Sequence, residues 1–249
     1  MIIMKTPEQI EGIRTSCRLL TETFRVLRPH IKPGITPKKL DGIAYDFIVS
    51  HGGKPAFLGH HGFPGTLCTS VNEAVIHGIP DDRPLRDGDI LSIDCGINLG
   101  GFFSDSAFTV PIGQVSPEIS DLLTSTKESL FKGISQAMPG NRVKDISRAV
   151  YKHVHAKGYG VVRPYCGHGV GLYVHEDPQI PNYVGGGPNP RLKPGMVIAI
   201  EPMVNLGGDD VRVLPDDWTV VTRDGTPSAH FEHTVAILED GPEILTSWE

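Results

Sequence analysis

The chain has 249 residues, of which 39% are hydrophobic and 21% charged, and it carries a formal net charge of −6. These values are typical of one large globular domain or two small ones, and the acidic balance argues against a broad nucleic-acid surface. No apolar run reaches the length of a membrane span. The four cysteines are scattered without a Cys-x-x-Cys pair, which argues against a disulfide framework and predicts a reducing, cytoplasmic location.

Four helices are predicted where Thr, Ser or Asn precedes apolar residues at helical spacing. They run from Thr6-Pro7 to Pro29, from Thr36-Pro37 to Gly52, from Ser116-Pro117 to Pro139, and from an N-cap at Asn141 to Gly158. The segments between the second and third helices and after Gly158 read as strands and turns.

Two apolar, β-rich runs flank the segment Asn98-Leu99-Gly100-Gly101, which predicts a β-hairpin with a tight glycine turn. A turn centred on Leu99 and Gly100 places Asp94 directly opposite Asp105. Opposed side chains have Cβ atoms about 5 Å apart, and like charges there are destabilising. Either one carboxyl is protonated or a cation lies between the two. Alternatively, the register is off by one residue and one Asp faces solvent.

The second half of the chain echoes the first at a nearly constant offset. The repeated elements are Pro33-Gly34 with Pro139-Gly140, His61-Gly62 with His168-Gly169, Asp94 with Glu201, and Asn98-Leu99-Gly100-Gly101 with Asn205-Leu206-Gly207-Gly208. Such regularity is hard to attribute to chance. We therefore expect a single α+β domain over residues 1–249, built from two pseudo-symmetric halves of about 1–110 and 111–249. The helices should cover one face of a shared, curved antiparallel sheet.

Further carboxylates lie in apolar strands. Glu201 ends the run Met196–Ile200, Glu232 lies within the strand pattern 230–238, and His168 stands between two glycines. An acid in an apolar strand needs a partner, because burying an unpaired charge is expensive. Each residue alone could be an ordinary ion-pair partner or a satisfied core histidine. Taken together with Asp94 and Asp105, they match the ligand set of a dinuclear divalent-metal hydrolase.

The chain resembles the type I methionine aminopeptidases, which have the pita-bread fold. The motifs that carry the resemblance are Val71–Pro80, the Asp94 to Asp105 hairpin, Tyr165–Gly171 with His175–Pro178, Gly195–Met203 and Phe231–Thr234. The resemblance implies a metalloaminopeptidase that removes the initiator methionine from nascent proteins when the second residue is small. It also implies two divalent ions, with cobalt, manganese and iron as candidates.

By this resemblance, Asp105 and Glu232 bridge two metal ions, Asp94 binds one of them, and His168 with Glu201 binds the other. Three residues have implied catalytic roles. Glu201 carries a proton to the leaving amine, His175 stabilises the tetrahedral oxyanion, and His77 contacts the nitrogen of the scissile bond.

The resemblance places the methionine side chain among Phe63, Cys68, Trp218 and His60, with His77 and His175 as further substrate contacts. This sequence departs from the family at three positions: His60 replaces a usual Tyr, Val174 an often-found Phe, and His230 a common Gln. A smaller Val174 predicts a looser methionine pocket, unless Phe57 or another neighbour fills the space.

The expected partners are nascent polypeptide N-termini and, transiently, the ribosome. No specific nucleic acid and no membrane are expected, and the protein should be a monomer. Two other functions remain open at this stage. One is a pita-bread peptidase of different specificity, such as an X-Pro peptidase, although no large N-terminal domain is evident. The other is a non-catalytic peptide-binding relative, although such relatives lose metal ligands and all five positions are filled here.

Overall fold

A computed structural model describes residues 1–247, so residues 248 and 249 of the predicted 1–249 domain lie outside the described residues. Within that range the chain forms four α-helices. They are Pro7–Leu27 (α1), Pro37–Ser50 (α2), Pro117–Ile134 (α3) and Val143–His155 (α4). Over the same residues, no helix is both long enough and apolar enough to cross a bilayer.

The predicted helix starts are confirmed for three of the four helices. The Thr6 hydroxyl accepts from Gln9 N while Thr6 N donates to the Gln9 side chain, which forms the predicted capping box. The Thr36 and Ser116 hydroxyls cap α2 and α3 by accepting from Lys39 N and Ile119 N, without a reciprocal side-chain bond. The fourth helix is present, but its predicted N-cap is wrong, because the N-cap is Arg142 rather than Asn141.

The shift at the start of α4 has a local cause. Asp145, in the first turn, accepts a 2.9 Å hydrogen bond from Arg142 N. The Asn141 side chain donates instead to the Gln136 carbonyl, at 3.0 Å. The helix is thus capped by its own acidic residue, and Asn141 ties the preceding turn to the end of α3.

Most strands are short, apart from two of ten residues each, and the pairings between strands are antiparallel. In chain order they are Lys54–Pro55 (β1), Leu67–Val71 (β2), Ala74–Ile76 (β3), Ile90–Leu99 (β4), Phe102–Pro111 (β5), Gly160–Val161 (β6), Gly167–Gly169 (β7), Glu176–Ile180 (β8), Val197–Ile200 (β9), Met203–Asn205 (β10), Val211–Val213 (β11), Val220–Thr222 (β12), Ser228–His230 (β13), His233–Leu238 (β14) and Gly241–Ile244 (β15). The two larger sheets are β1-β4-β2 with β5 beside β4, and β15-β14-β9-β7-β8. The α+β class predicted from the sequence is confirmed.

The predicted hairpin exists, but its predicted register is wrong. Asp94 pairs with Ala107, and Asp105 pairs with Gly96. The turn centres on Gly100 and Gly101, whose φ angles are 61° and 91°. A two-residue turn of this kind requires positive φ at both central positions, and two adjacent glycines meet that need better than Leu99 with Gly100. The shift is an even number of residues, so both carboxylates remain on one face of the hairpin.

The two larger sheets meet along a line that we call the seam, formed by β5 and residues 230–234. Ala107 and Glu232 form an isolated antiparallel bridge, with a 2.8 Å hydrogen bond from Glu232 N to the Ala107 carbonyl. The Thr109 hydroxyl donates to the His230 carbonyl at 2.8 Å, and the Thr234 hydroxyl donates to the Asp105 carbonyl at 2.7 Å. The seam therefore fixes Asp105 and Glu232 side by side.

The helices and both larger sheets share one hydrophobic core. Each helix contributes fully buried side chains, for example Phe24, Leu40, Leu130 and Ile146, to the cluster that also holds Ile93 of β4 and Ile200 of β9. Burying one such side chain contributes about 1.5–3 kcal/mol to stability. The packed core therefore gives the acid-bearing strands a rigid base.

Candidate active site

All the site residues predicted from the sequence line a single cavity of about 680 Å³. They are His60, Phe63, Cys68, His77, Asp94, Asp105, His168, His175, Glu201, Trp218 and Glu232. They come from β2, β4, β5 and β7 and from the segments between strands, with Glu201 directly after β9, so the fold assembles them from both larger sheets.

The acidic residues gather around His168. One ligand atom from each of Asp105, His168 and Glu232 lies within 4.8 Å of the other two. His168 Nε2 is 3.4 Å from Glu201 Oε1 and 3.7 Å from Asp105 Oδ2. Asp94 and Asp105 lie close enough for each carboxyl group to influence the pKa of the other. The predicted five-residue constellation is therefore contiguous.

The glycines beside His168 allow its strand to lie close to its neighbours. A Cβ atom on Gly167 would lie 2.3 Å from the Ala199 carbonyl oxygen, and one on Gly169 would lie 2.3 Å from that of Asp177. Only glycine fits at such distances. His168 Nδ1 lies 2.9 Å from the Gly169 carbonyl. A proton on Nδ1 donates to that carbonyl and leaves the Nε2 lone pair facing the acids.

Burial dominates the electrostatics of the cluster. It raises the pKa of Glu201 to about 8 and that of Asp94 to about 7. The pKa values of Asp105 and Glu232 are also raised well above normal, first by burial and then by the neighbouring carboxylates. Burial lowers the pKa of His168 to about 3, so this imidazole is neutral. Without a counter-charge, the cluster thus holds protons on acids that would ordinarily be ionised at pH 7.

A divalent cation fits this donor set. Asp94 Oδ1 and Asp105 Oδ1 are buried and have no hydrogen-bond partner among residues 1–247, although buried polar atoms are ordinarily paired. Carboxylate oxygens with one imidazole suit divalent first-row metals, and a cation would relieve the repulsion that raises these pKa values. The residues present therefore match the chemistry of a divalent-metal site.

His77 and His175 line the same cavity. His77 follows β3 with φ 57°, an uncommon conformation for a residue other than glycine. Its ring centroid lies 5.8 Å from that of Tyr165, and burial lowers its pKa to about 4. The centroid of His175 lies 4.5 Å from that of His168, and burial, followed by His60 and His61, lowers the pKa of His175. Both imidazoles are neutral near pH 7 and can donate or accept hydrogen bonds.

An apolar wall faces the acids. Phe63 and Trp218 pack edge to face with ring centroids 5.1 Å apart, and Cys68 packs beside Phe63 and Phe57. Val174 belongs to the same cluster, but it lines an adjacent cavity of about 600 Å³ rather than the one that holds the acids. The looser methionine pocket inferred from Val174 stays a prediction. Phe57, the neighbour named as able to fill the space, lines the cavity that holds the acids.

Some residues at the site had no role in the sequence analysis. Tyr165, Gln179 and Asp177 line the cavity, and Tyr165 stood in a quoted motif that could have pointed to it. His230 Nε2 lies 3.6 Å from Glu201 Oε2, so the histidine that replaces the common Gln contacts a predicted metal ligand.

Comparison with known proteins identifies the class. The family described as metallopeptidase family M24 matches residues 11–239, and the chain belongs to that family. It is similar to methionine aminopeptidase 1 of Bacillus subtilis (strain 168), with 53% identity over 246 residues covering 99% of each chain. The crystal structure of methionine aminopeptidase from Rickettsia prowazekii superposes with a TM-score of 0.97 at 39% identity, covering 99% of this chain and 100% of that one. The predicted pita-bread fold is confirmed.

The match to a peptidase of another specificity is weaker. The prolidase from Pyrococcus furiosus superposes with a TM-score of 0.81 at 25% identity. The alignment covers 99% of this chain but 66% of the prolidase. The likeness to the methionine aminopeptidases therefore extends over the full length of both chains, whereas the likeness to this prolidase does not.

Proposed function

We propose that the chain is a metalloaminopeptidase that removes the initiator methionine from nascent proteins when the second residue is small. The observation that carries this proposal is the placement of three neutral histidines and four acids in one cavity with an apolar wall. A thioether side chain suits that apolar wall, and a hydrolytic centre suits the acids. The full-length likeness to methionine aminopeptidases supports the same conclusion.

The proposed metal centre holds two divalent ions, with cobalt, manganese or iron as candidates. Asp105 and Glu232 would hold both ions, Asp94 would hold one of them, and His168 with Glu201 would hold the other. When bound, such ions polarise a carbonyl and lower the pKa of a water molecule. The hydrogen bonds of the seam hold Asp105 and Glu232 beside each other.

The remaining chemistry belongs to side chains around this centre. Glu201 accepts a proton at its carboxylate and passes it to the leaving amine. The neutral His175 imidazole donates a hydrogen bond to the oxygen of the scissile carbonyl as negative charge develops there. His77 contacts the nitrogen of the scissile bond. Phe63, Cys68, Trp218 and His60 enclose the methionine side chain.

The proposed location of the protein is the cytoplasm. The protein acts as a monomer on emerging N-termini and associates transiently with the ribosome. We also propose that the single domain consists of two related halves, in which Asp94 of β4 and Glu201 after β9 occupy equivalent positions. The pairing of helices supports the repeat, since α1 packs on α2 and α3 packs on α4.

Cleavage of three peptides tests the function. Chelator-treated protein is supplied with cobalt, manganese or iron and assayed on Met-Ala-Ser, Met-Lys-Ser and Ala-Pro-Ser. We expect metal-dependent release of methionine from Met-Ala-Ser and little turnover of the other two. Preferential cleavage of Ala-Pro-Ser would instead indicate an X-Pro peptidase, and no cleavage with any metal would indicate a non-catalytic relative.

An Asp94→Asn variant tests the metal centre. It removes one charged ligand, so bound metal and activity should fall together. The matched control is Asp46→Asn, which changes an exposed acid on α2 and should leave both unchanged. Wild-type metal content and rate in Asp94→Asn would contradict the proposed ligand set.

A further inference from the structure

A buried ion pair lies directly behind the loop that carries His175. Lys5 Nζ donates to Glu176 Oε2 at 2.5 Å, and each of the two side chains is 1% exposed. Glu176 is the residue after His175 and the first residue of β8. Lys5 lies just before α1, so the pair joins the two ends of a long stretch of chain.

The Glu176 carboxylate also holds the loop together from inside. Its Oε1 atom accepts hydrogen bonds from Leu172 N at 2.7 Å and Tyr173 N at 3.0 Å. These amides belong to the short connection between β7 and β8, where Gly169 pairs with Glu176. One carboxylate therefore ties both ends of the connection that presents His175 to the cavity.

Lys5 is itself held in place by its backbone. Its N–H donates to the Gly195 carbonyl at 2.7 Å, and Gly195 N donates to Ile237 of β14 at 2.9 Å. These backbone hydrogen bonds attach Lys5 to the sheet that contains β14 and β9, and Glu201 directly follows β9. The ammonium group therefore approaches Glu176 from a fixed position. Burial lowers the pKa of Lys5, and the Glu176 carboxylate opposes that shift.

The geometry points to Lys5 as a positioning residue for the reaction, which acts by holding Glu176, and through it the 170–175 connection, so that His175 faces the scissile carbonyl. This inference rests on the role proposed for His175. Without the ammonium group, a buried carboxylate would have to be protonated or turn toward water. Either change weakens the two hydrogen bonds to the loop amides. A displacement of about 1 Å at a catalytic group can lower a rate by about 10²-fold.

A purely structural salt bridge would look different in kinetics. If Lys5 acts through His175, its removal should lower kcat and leave KM for the peptide and the affinity for Mn²⁺ nearly unchanged. Its effect should also vanish once His175 is absent. A pair that only stabilises the fold would shift the unfolding midpoint without this dependence.

A double-mutant cycle on the metal-loaded full chain tests the inference. We measure kcat and KM on Met-Ala-Ser at saturating Mn²⁺ for the wild type, Lys5→Met, His175→Ala and the double variant. We expect kcat of Lys5→Met to fall by about tenfold or more and the double variant to match His175→Ala alone. Lys5→Arg, which keeps the charge, should recover most of the rate.

Two further variants keep the test decisive. Arg14→Met breaks another ion pair between α1 and a distant strand, with Arg14 Nη2 2.8 Å from Glu243 Oε2, and should leave kcat unchanged. If Lys5→Met does not fold, Glu176→Gln takes its place in the cycle, because it breaks the same ion pair from the other side and keeps the size of the side chain. Additive losses, an unchanged kcat or a change confined to KM would overturn the inference. A wild type without activity on Met-Ala-Ser would instead overturn the proposed function.

Discussion

In protein from which divalent cations have been removed, the free energy of unfolding should fall as the pH rises from about 6.5 to about 8. In the metal-free fold, burial raises the pKa of Glu201 to about 8 and that of Asp94 to about 7, whereas in the unfolded chain both groups are ionised at these pH values. The folded state therefore binds more protons, and stability falls as the pH rises through the folded pKa values.

Other titratable groups set the limits of this pH range: buried histidines reverse the pH dependence of stability below it, and buried thiols contribute above it. Burial lowers the pKa of His168 and His233 to about 3 and that of His77 to about 4. Below about pH 6.5 the unfolded chain would protonate these histidines, and stability would fall with decreasing pH. Above about pH 8, buried thiols with raised pKa values, such as that of Cys68, begin to contribute. Between these limits the acids of the site dominate.

Asp105 and Glu232, whose pKa values are also raised, add to the loss. Glu201 and Asp94 alone account for about 2 kcal/mol across this pH range, because each additional bound proton changes stability by about 1.4 kcal/mol per pH unit. For a domain of this size, that corresponds to a fall in Tm of about 4–8 °C. Urea unfolding of chelator-treated protein at several pH values measures it directly. Saturating Mn²⁺ should stabilise the protein most at the upper end, because metal ligands must be deprotonated.

Glu201→Gln is the matched variant, because it keeps the shape of the side chain and removes its titration. Its metal-free stability should depend less on pH than that of the wild type. A wild-type midpoint that stays constant or rises between pH 6.5 and 8, with the same slope in Glu201→Gln, would refute the reasoning.

Three substitutions probe other parts of the cavity. His175→Ala should retain metal, as measured by elemental analysis, while kcat falls by about 10²-fold or more; loss of metal would make it a ligand. Gly96→Ala should raise KM for methionyl peptides and lower Tm, because its Cβ would lie 2.7 Å from Phe57 Cε1. Gly42→Ala, in an open helical position, is the control. It should leave KM unchanged and should not lower Tm. Val174→Phe should lower KM for Met-Ala-Ser relative to the leucyl and norleucyl peptides, because a larger ring there would pack against Phe57, Phe63 and Cys68, with which Val174 clusters; a higher KM without greater selectivity would indicate overpacking.

The sequence predicted those features that depend on a few neighbouring residues. The capping box at Thr6 is such a case, since both of its hydrogen bonds join residues three apart. The register of the hairpin was less accessible, because the choice between Leu99-Gly100 and Gly100-Gly101 as the turn depends on which pair takes positive φ. The error did not move Asp105 to the other face, so both carboxylates still line one cavity.

Other features could not be predicted because they depend on tertiary contacts. Lys5 stands between Met4 and Thr6 with no local pattern around it, and its partner Glu176 is 171 residues away. Likewise, the position of Val174 beside a second cavity is set by how the 170–175 connection lies over Phe57. The sequence motifs predicted residues that line the cavity. The contacts behind the cavity, such as that between Lys5 and Glu176, depend on the tertiary structure.

The seam also constrains the order of events during folding. Asp105 and Thr234 are 129 residues apart in the sequence, and the bridge between Ala107 and Glu232 spans a similar interval. Closing so large a loop is a slow, late step compared with forming the local hairpin. During synthesis, β4 and β5 leave the ribosome long before Glu232 exists. The complete site proposed for divalent ions therefore cannot form co-translationally on the N-terminal part alone, and we expect full metal affinity only after nearly the whole chain has been made.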